Sequence, residues 1–368
     1  MKEHFEIIRD PRQASKVMHN MVETIVMVVC AVIAGCDVWE DIADFCRVKE
    51  EWLREKVGLE LKNGIPSHDT FARIFQRMDP KEFEDAFRSW VSECCTSCAK
   101  QTVSIDGKTI RGSKGTGKKA IHMVSAWANG AKLVLGQIAT DEKSNEITAV
   151  PELLELLDIE DSVVTADAMS CQTNIVSTIT SKKADYVIQL KENQPTMYRE
   201  VQQYMEAAVE EAQNDSELSC VTTLEKGHGR IEKRNYYLLT DPYFIGLYRN
   251  WQGLHGFGMM KSEITTGETT TSETHFYITS LNDVNAFAKS AREHWGVESS
   301  LHWCLDVTFH EDHSRIRKDH SAENMSVIRH IALAVLKNMN DKMSVARRRR
   351  HCAYDDDYLA SVIRSIHA

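Results

Sequence analysis

Three acidic residues stand where carboxylates could do chemistry together. Asp106 follows the apolar strand Thr102-Val-Ser-Ile105 and precedes Gly107-Lys108, so its carboxylate is expected at a strand end. Asp167 repeats that arrangement after Val163-Val-Thr-Ala166. Carboxylates at the ends of adjacent strands can converge on one point, and hard divalent cations such as Mg2+ need that kind of oxygen cluster. Glu298 is the third candidate. On a helix it shares a face with Phe287, Ala291, His294, Trp295, Leu301, His302 and Leu305, an apolar stripe on which a carboxylate is costly unless paired or metal-bound. Taken singly, an Asp after a strand is more often a turn former or helix cap, and Glu298 could equally pair with a nearby Arg or Lys. Asp306, Glu311 and Asp312 are rival carboxylates that lie off the Glu298 face.

The elements that must position these residues can be read from periodicity. The first hundred residues read as helices: an almost all-round apolar segment Met21–Ala34, short amphipathic stretches at 39–45 and 50–57, and a helix opened by Ser67 with Phe71, Ile74, Phe75 and Met78 on one face. Asp79-Pro80 reads as a break before Phe83, Phe87, Trp90 and Val91 resume the helical spacing. From Thr102 the pattern changes to a three-strand meander, then helix, strand, helix, strand, giving βββαβαβ. A β-rich stretch of roughly 80 residues, about 198–277, intervenes before strong helices at 284–305 and 322–338. The expected division is a helical N-terminal domain (1–97), an α/β domain with a β-rich insertion (98–345), and a basic then acidic C-terminal tail (346–368).

Composition limits the function classes. A hydrophobic fraction of 42% with 27% charged residues is that of a folded, soluble chain. The longest apolar run, Ile25–Cys36, is too short for a bilayer span, and the opening Met1-Lys-Glu-His4 lacks a signal pattern. Ten scattered cysteines suggest free thiols in a reducing cytosol, and the Cys95-x-x-Cys98 spacing has no second pair to make a zinc site. No nucleotide-binding glycine loop follows a strand in a βα unit, so no nucleotide cofactor is implied. Net charge is −10, but two windows are basic: Lys100–Lys119 at +5 and Ser314–Arg350 at +7. Local positive fields of this kind suit a nucleic-acid partner whatever the average.

Several longer runs together resemble a known family. They are Ser104-Ile-Asp-Gly-Lys-Thr-Ile-Arg-Gly-Ser113, Asp141-Glu-Lys-Ser-Asn-Glu-Ile-Thr148, Thr165-Ala-Asp-Ala-Met-Ser-Cys-Gln172, Ala184-Asp-Tyr-Val-Ile-Gln-Leu-Lys-Glu-Asn-Gln194, Gly227-His-Gly-Arg-Ile-Glu232 and His294-Trp-Gly-Val-Glu298. In this order they resemble the insertion-sequence transposases of the DDE type, and among them the H-repeat-associated transposases that accompany Rhs elements. The resemblance extends from Ile65-Pro-Ser-His-Asp-Thr-Phe71 to Tyr354-Asp-Asp-Asp-Tyr358.

The resemblance implies an RNase H-like catalytic core carrying the acidic triad Asp106, Asp167 and Glu298. Two Mg2+ (or Mn2+) ions would be held there about 3.5–4 Å apart for in-line displacement at phosphorus, with Asp106 bridging them. DNA is the implied partner, as element terminal inverted repeats and as target, with a homodimer in the synaptic complex and a cytoplasmic, nucleoid-associated location. The N-terminal helices would recognise the element ends. Lys108, Arg111, Lys191, Asn193, Gln194 and His294 are placed to contact phosphates, or else are solvated loop or helix-face groups. The Gly227–Arg230 turn, with His228 and Arg230, either reaches DNA as a hairpin or is only a turn, and Arg347–Arg350 either tracks a backbone or is an exposed tail. One departure stands out: Ala291, His294 and Leu305 occupy positions where many relatives carry Tyr, Arg and Lys. A catalytically inactive relic and a non-transposing nuclease on the same fold are the alternatives.

Overall fold

A computed structural model describes residues 2–95, 97–115, 119–140, 145–211, 217–227 and 229–365. The chain begins with α1 (Lys2–Phe5), α2 (Met21–Ile33), α3 (Trp39–Val48), α4 (Glu50–Lys56), α5 (His68–Arg77) and α6 (Pro80–Cys94). The side chains of Asn20 and Ser67 accept hydrogen bonds from Glu23 N and Thr70 N, satisfying amide donors that α2 and α5 leave open. Asp79-Pro80 is a start rather than a break. Asp79 caps Lys81 N and Glu82 N, and Pro80 takes the first turn of α6, where its missing N–H costs nothing.

A nine-stranded mixed sheet follows. It consists of β1 (Thr102–Ile110), β2 (Ile121–Ala128) and β3 (Leu133–Thr140), then α7 (Glu146–Glu155), β4 (Val163–Ala166), α8 (Thr173–Ser181), β5 (Asp185–Leu190) and α9 (Pro195–Glu211). The chain continues through β6 (Leu218–Gly227), β7 (Arg230–Leu239), α10 (Pro242–Ile245), β8 (Gly256–Thr266) and β9 (Thr269–Thr279). Strand order is β3-β2-β1-β4-β5-β9-β8-β7-β6. β1–β3 pair antiparallel, β1, β4 and β5 run parallel, and β6–β9 form an antiparallel meander.

The β-rich stretch continues the core sheet. β9 pairs with β5 from Val187↔Thr279 to Leu190↔Phe276, and there Phe276–Thr279 are buried, whereas the outer half of β9 is exposed. β8 was not expected from sequence, because glycines at 256 and 258 weaken the strand signal. The reason for Gly258 is steric: a Cβ there would run into the Phe287 ring.

Phe287 belongs to α11 (Val284–Val297), which lies across β1, β4 and β5 and reaches β6 and β7. Beyond Val297 the helix continues with π-type winding through Glu298–His302 and Cys304–Thr308. α12 (Ser321–Lys337) is buried on nearly all sides between α2, α5, α6 and β3, so the N-terminal helices and the sheet share one core. The stretch read as a tail folds over its described part into α13 (Val345–Tyr354) and α14 (Asp356–Arg364). Within it Arg348 and Arg349 are buried. Arg348 donates to the carbonyls of Leu336 and Met339 and pairs with Asp341; Arg349 donates to Val32 O and Thr308 O, pairs with Asp37 and lies over the Phe309 ring at 4.5 Å. These two arginines tie helices together and do not track a DNA backbone; Arg347 and Arg350 remain exposed. Among the described residues no helix is long and apolar enough to cross a membrane.

Candidate active site

β1 alternates, and its even-numbered residues turn toward α11. Thr102 bonds Glu293, Ser104 joins Thr165, and Asp106 and Lys108 face the cavity beyond. Asp106 is therefore mid-strand, opposite Ser125, and not at a strand end as expected. The strand runs on because residue 107 is glycine. A Cβ there would collide with the paired Glu146 and His122 beneath it.

Asp167 stands one step past β4. Ile105 and Ala166 are register partners on the parallel strands β1 and β4, so Asp106 and Asp167 are the next pair along. Asp167 Oδ1 also accepts from Met169 N at 3.1 Å, capping the turn 168–170, so the turn-capping role and the site position coexist.

Glu298 departs from expectation. Regular α-helical spacing placed it on a buried stripe, yet it is exposed toward the cavity, while Val297, Leu301 and Leu305 carry the burial. Trp295 on the same stripe is exposed as well, because this part of the face looks into the cavity and not onto packed core; from residue 298 the winding turns π-type, as it often does at functional sites. The open cavity, about 650 Å³, is lined by Asp106, Asp167 and Glu298 together with Lys108, Arg111, Lys191, His294 and His302.

The electrostatics separate two acidic groups. Burial, with the carboxylates of Asp167, Glu298 and Glu146, outweighs the Gly107 N–H and raises Asp106 to about 7. Close by, Lys108 Nζ lies 2.6 Å from both Asp306 and Glu311 and 3.9 Å from Asp312. Burial alone would lower Lys108, but these carboxylates hold it above its usual value. Glu311 is 1% exposed; Lys108 and Arg329 overcome its desolvation and keep it below the ordinary carboxylate range. Lys108 is thus committed to acidic partners and does not reach freely for a phosphate.

The other expected phosphate contacts divide. Arg111 is strongly exposed at the cavity edge, its backbone N–H donating to Asp312, and Lys191 is exposed on the same cavity. Asn193 and Gln194 donate to Ala168 O at 2.6 Å and Cys171 O at 3.0 Å, so they latch the loop that carries Asp167. His294 Nδ1 lies 3.0 Å from Thr165 Oγ1, and burial lowers it to about 4, making it a neutral helix-face histidine beside the cavity. Arg230 pairs with Glu232 on the β6–β7 hairpin, away from the cavity-lining residues; His228 lies outside the described residues.

Sequence reasoning gave no role to His302, Asp306 or Glu311. His302 Nδ1 is 3.4 Å from Asp106 Oδ2, and burial lowers it to about 4. It had been visible only as one more member of the Glu298 stripe. The signal for Glu311 was its proximity in sequence to Asp306 and Asp312, but nothing local identified Lys108, 203 residues away, as their partner. His122 and Glu146, 3% and 4% exposed, were likewise unforeseen.

An open carboxylate-lined cavity at the meeting of two parallel strands and a helix, with exposed cations at its rim, suits polyanion chemistry. The family model described as "Transposase DDE domain" matches residues 97–335, and one described as "DDE_Tnp_1-associated" matches residues 2–91. The chain belongs to the DDE transposase family. It is 41% identical over 371 residues to "Putative transposase YncI" of Escherichia coli, covering 99% of this chain and 94% of that protein. It is 39% identical over 372 residues to "H repeat-associated putative transposase YhhI" of Escherichia coli, covering 99% and 97% respectively.

Proposed function

We propose that this DDE transposase cuts and joins DNA at insertion-element ends, with Asp106, Asp167 and Glu298 as its metal-binding catalytic set on an RNase H-like core. The observation that carries the reading is the delivery of three carboxylates to one cavity from β1, the end of β4 and the end of α11. The strand order β3-β2-β1-β4-β5, antiparallel then parallel, supports the RNase H-like assignment.

Divalent metal ions fit the donors present. Five carboxylates line the cavity: Asp306 and Asp312 lie beside Lys108, and Asp106 is desolvated beside the like charges of Asp167 and Glu298, a strain that a bound cation relieves. Among the described residues no group of three or more His, Cys, Asp or Glu side chains is close enough to hold a metal ion by itself. Mg2+ or Mn2+ takes one or two carboxylates and completes its shell with water and phosphate oxygens. Asp106, Asp167 and Glu298 would hold the ions. Bound there, they would supply an activated hydroxyl nucleophile and charge neutralisation at phosphorus.

The chain's own residues do the rest. Arg111 and Lys191 engage phosphates from the rim. Asn193 and Gln194 hold the Asp167 loop, and neutral His294 keeps the α11 seam in place through Thr165. The N-terminal helices read the terminal repeats, and two copies of the chain bring the element ends together.

The test is Mg2+-dependent cleavage and joining of a labelled duplex carrying the element ends. Wild type should give joined products, and Asp106→Asn, Asp167→Asn and Glu298→Gln should give none. A wild type that binds the ends but neither cuts nor joins them supports an inactive relic, and one that cuts any duplex without joining supports a nuclease.

A further inference from the structure

Two turns distant in sequence form one basic ledge at the rim of the cavity. The first, Arg111–Ser113, leaves β1; the second, Glu311–His313, follows the π-wound end of the Glu298 helix, and the two pack together. Their packing is close enough to demand glycine at 112, since a Cβ there would meet the carbonyl oxygens of Ser314, Glu311 and Asp312. Arg111 N donates to Asp312 Oδ1 at 3.1 Å, and Arg317 Nη1 donates to Lys114 O at 2.8 Å, closing the pair at both ends. Ile316, 6% exposed, anchors the second segment in the core and leaves Arg315, Arg317 and Lys318 in solvent.

The exposed charge is one-sided. Arg111, Lys114, Arg315, Arg317 and Lys318 face only Asp312, which is half-buried, and Asp319 on these two segments. Asp306 and Glu311 are already paired with Lys108, so they do not cancel the ledge. At its inner end Arg111 and Asp312 line the cavity that holds Asp106, Asp167 and Glu298; at its outer end His320 N donates to Gln76 O in α5. The ledge therefore runs from the carboxylate cavity to the N-terminal helices.

We infer that the ledge formed by Arg111, Lys114, Arg315, Arg317 and Lys318 binds the phosphate backbone of duplex DNA flanking the reacting phosphodiester. The inference rests on the DNA-acting reading above and deepens it. A rigid row of exposed cations beside a carboxylate-lined cavity solves the site's own problem, because carboxylates repel the polyanion they must act on. The cations hold the flanking phosphates while the cavity receives one. Such contacts are sequence-independent and release condensed counterions, so their signature is salt dependence.

The test measures binding of the full-length protein to a random-sequence duplex by fluorescence anisotropy between about 50 and 200 mM salt, where each lost phosphate contact lowers the log–log slope by about 0.9. The triple variant Arg315→Gln, Arg317→Gln, Lys318→Gln should lower the slope by about 2.7. Because Arg317 also bonds Lys114 O, the double variant Arg315→Gln, Lys318→Gln separates charge from turn geometry and should lower it by about 1.8. A control losing the same charge elsewhere, Lys132→Gln, Lys183→Gln, Lys289→Gln, all exposed and outside the N-terminal helices and the cavity, should keep the wild-type slope. Wild-type slopes in both ledge variants would overturn the ledge while leaving DNA binding intact. A wild type that binds no duplex at any of these salt concentrations would overturn the ledge together with the DNA-acting reading.

Discussion

Two acidic groups sit side by side, and they are built on opposite principles. In the first, Asp106, Asp167 and Glu298 share an open cavity, and burial beside like charges raises Asp106 to about 7. In the second, Asp306, Glu311 and Asp312 surround Lys108, with Arg329 behind Glu311, and Glu311 stays below the ordinary carboxylate range although it is buried. Buried charge that has been neutralised holds structure together. Asp106, desolvated beside like charges, lowers stability in the metal-free protein and favours a bound cation. The contrast also explains the fate of Lys108, which serves the second group although it stands two residues from Asp106.

The comparison can be broken from either side. The largest effect is expected on chemistry: Asp106→Asn, Asp167→Asn or Glu298→Gln should each lower strand cleavage on the order of a thousandfold or more, as when one member of a catalytic set acting as a unit is lost. In the metal-free protein Asp106→Asn should raise the melting temperature rather than lower it. Next, Lys108→Ala leaves Glu311 short of a cation in the interior and should destabilise by about 3–5 kcal/mol, read by denaturant unfolding.

The pH dependence sharpens the contrast between Asp106 and Glu311, which shift in opposite directions, while burial raises Asp306 as it does Asp106. The raised Asp106 favours the protonated fold, so its contribution is present below about pH 4 and is lost as pH rises toward about 7, an upper bound of about 4 kcal/mol for such a shift. The depressed Glu311 contributes above its unfolded value, and that contribution is lost as pH falls through its lowered folded value. Metal-free stability, read from melting curves, should therefore fall less between about pH 4 and 7 in Asp106→Asn than in wild type, the remaining loss coming from buried Glu84, which burial also raises to about 7. The smallest effect is expected at the α11 seam. Thr165→Val removes the hydroxyl between Ser104 and His294 and should cost about 1 kcal/mol without altering the Lys108 group.

How much of this was legible in the sequence follows from how local each determinant is. The α5 helix announces itself through its Ser67 cap, and α2, α6 and the βββαβαβ order through periodicity; Asp106, Asp167 and Glu298 stand out as candidates from their place by strands or on a helix. What escaped depends on distant partners. Glu298 is exposed because its part of the stripe faces the open cavity, as Trp295 does, which no 3.6-residue pattern encodes. The joining of β9 to β5 is set by pairing across some 90 residues. Arg348 and Arg349 read as tail charges, and only the carbonyls of Val32, Thr308 and Leu336 reveal them as buried braces. Arg315 and Lys318, equally basic in sequence, stay in solvent because Ile316 between them takes the buried place.

The most direct test of the central claim is Mn2+ binding, followed by electron paramagnetic resonance with a non-cleavable duplex bound. If the cavity carboxylates are the metal-binding set, wild type and Thr165→Val should bind the ion alike, while Asp106→Asn, Asp167→Asn and Glu298→Gln each weaken binding tenfold or more, on the order of losing a metal-site interaction. Unchanged Mn2+ affinity in all three carboxylate variants would contradict the account.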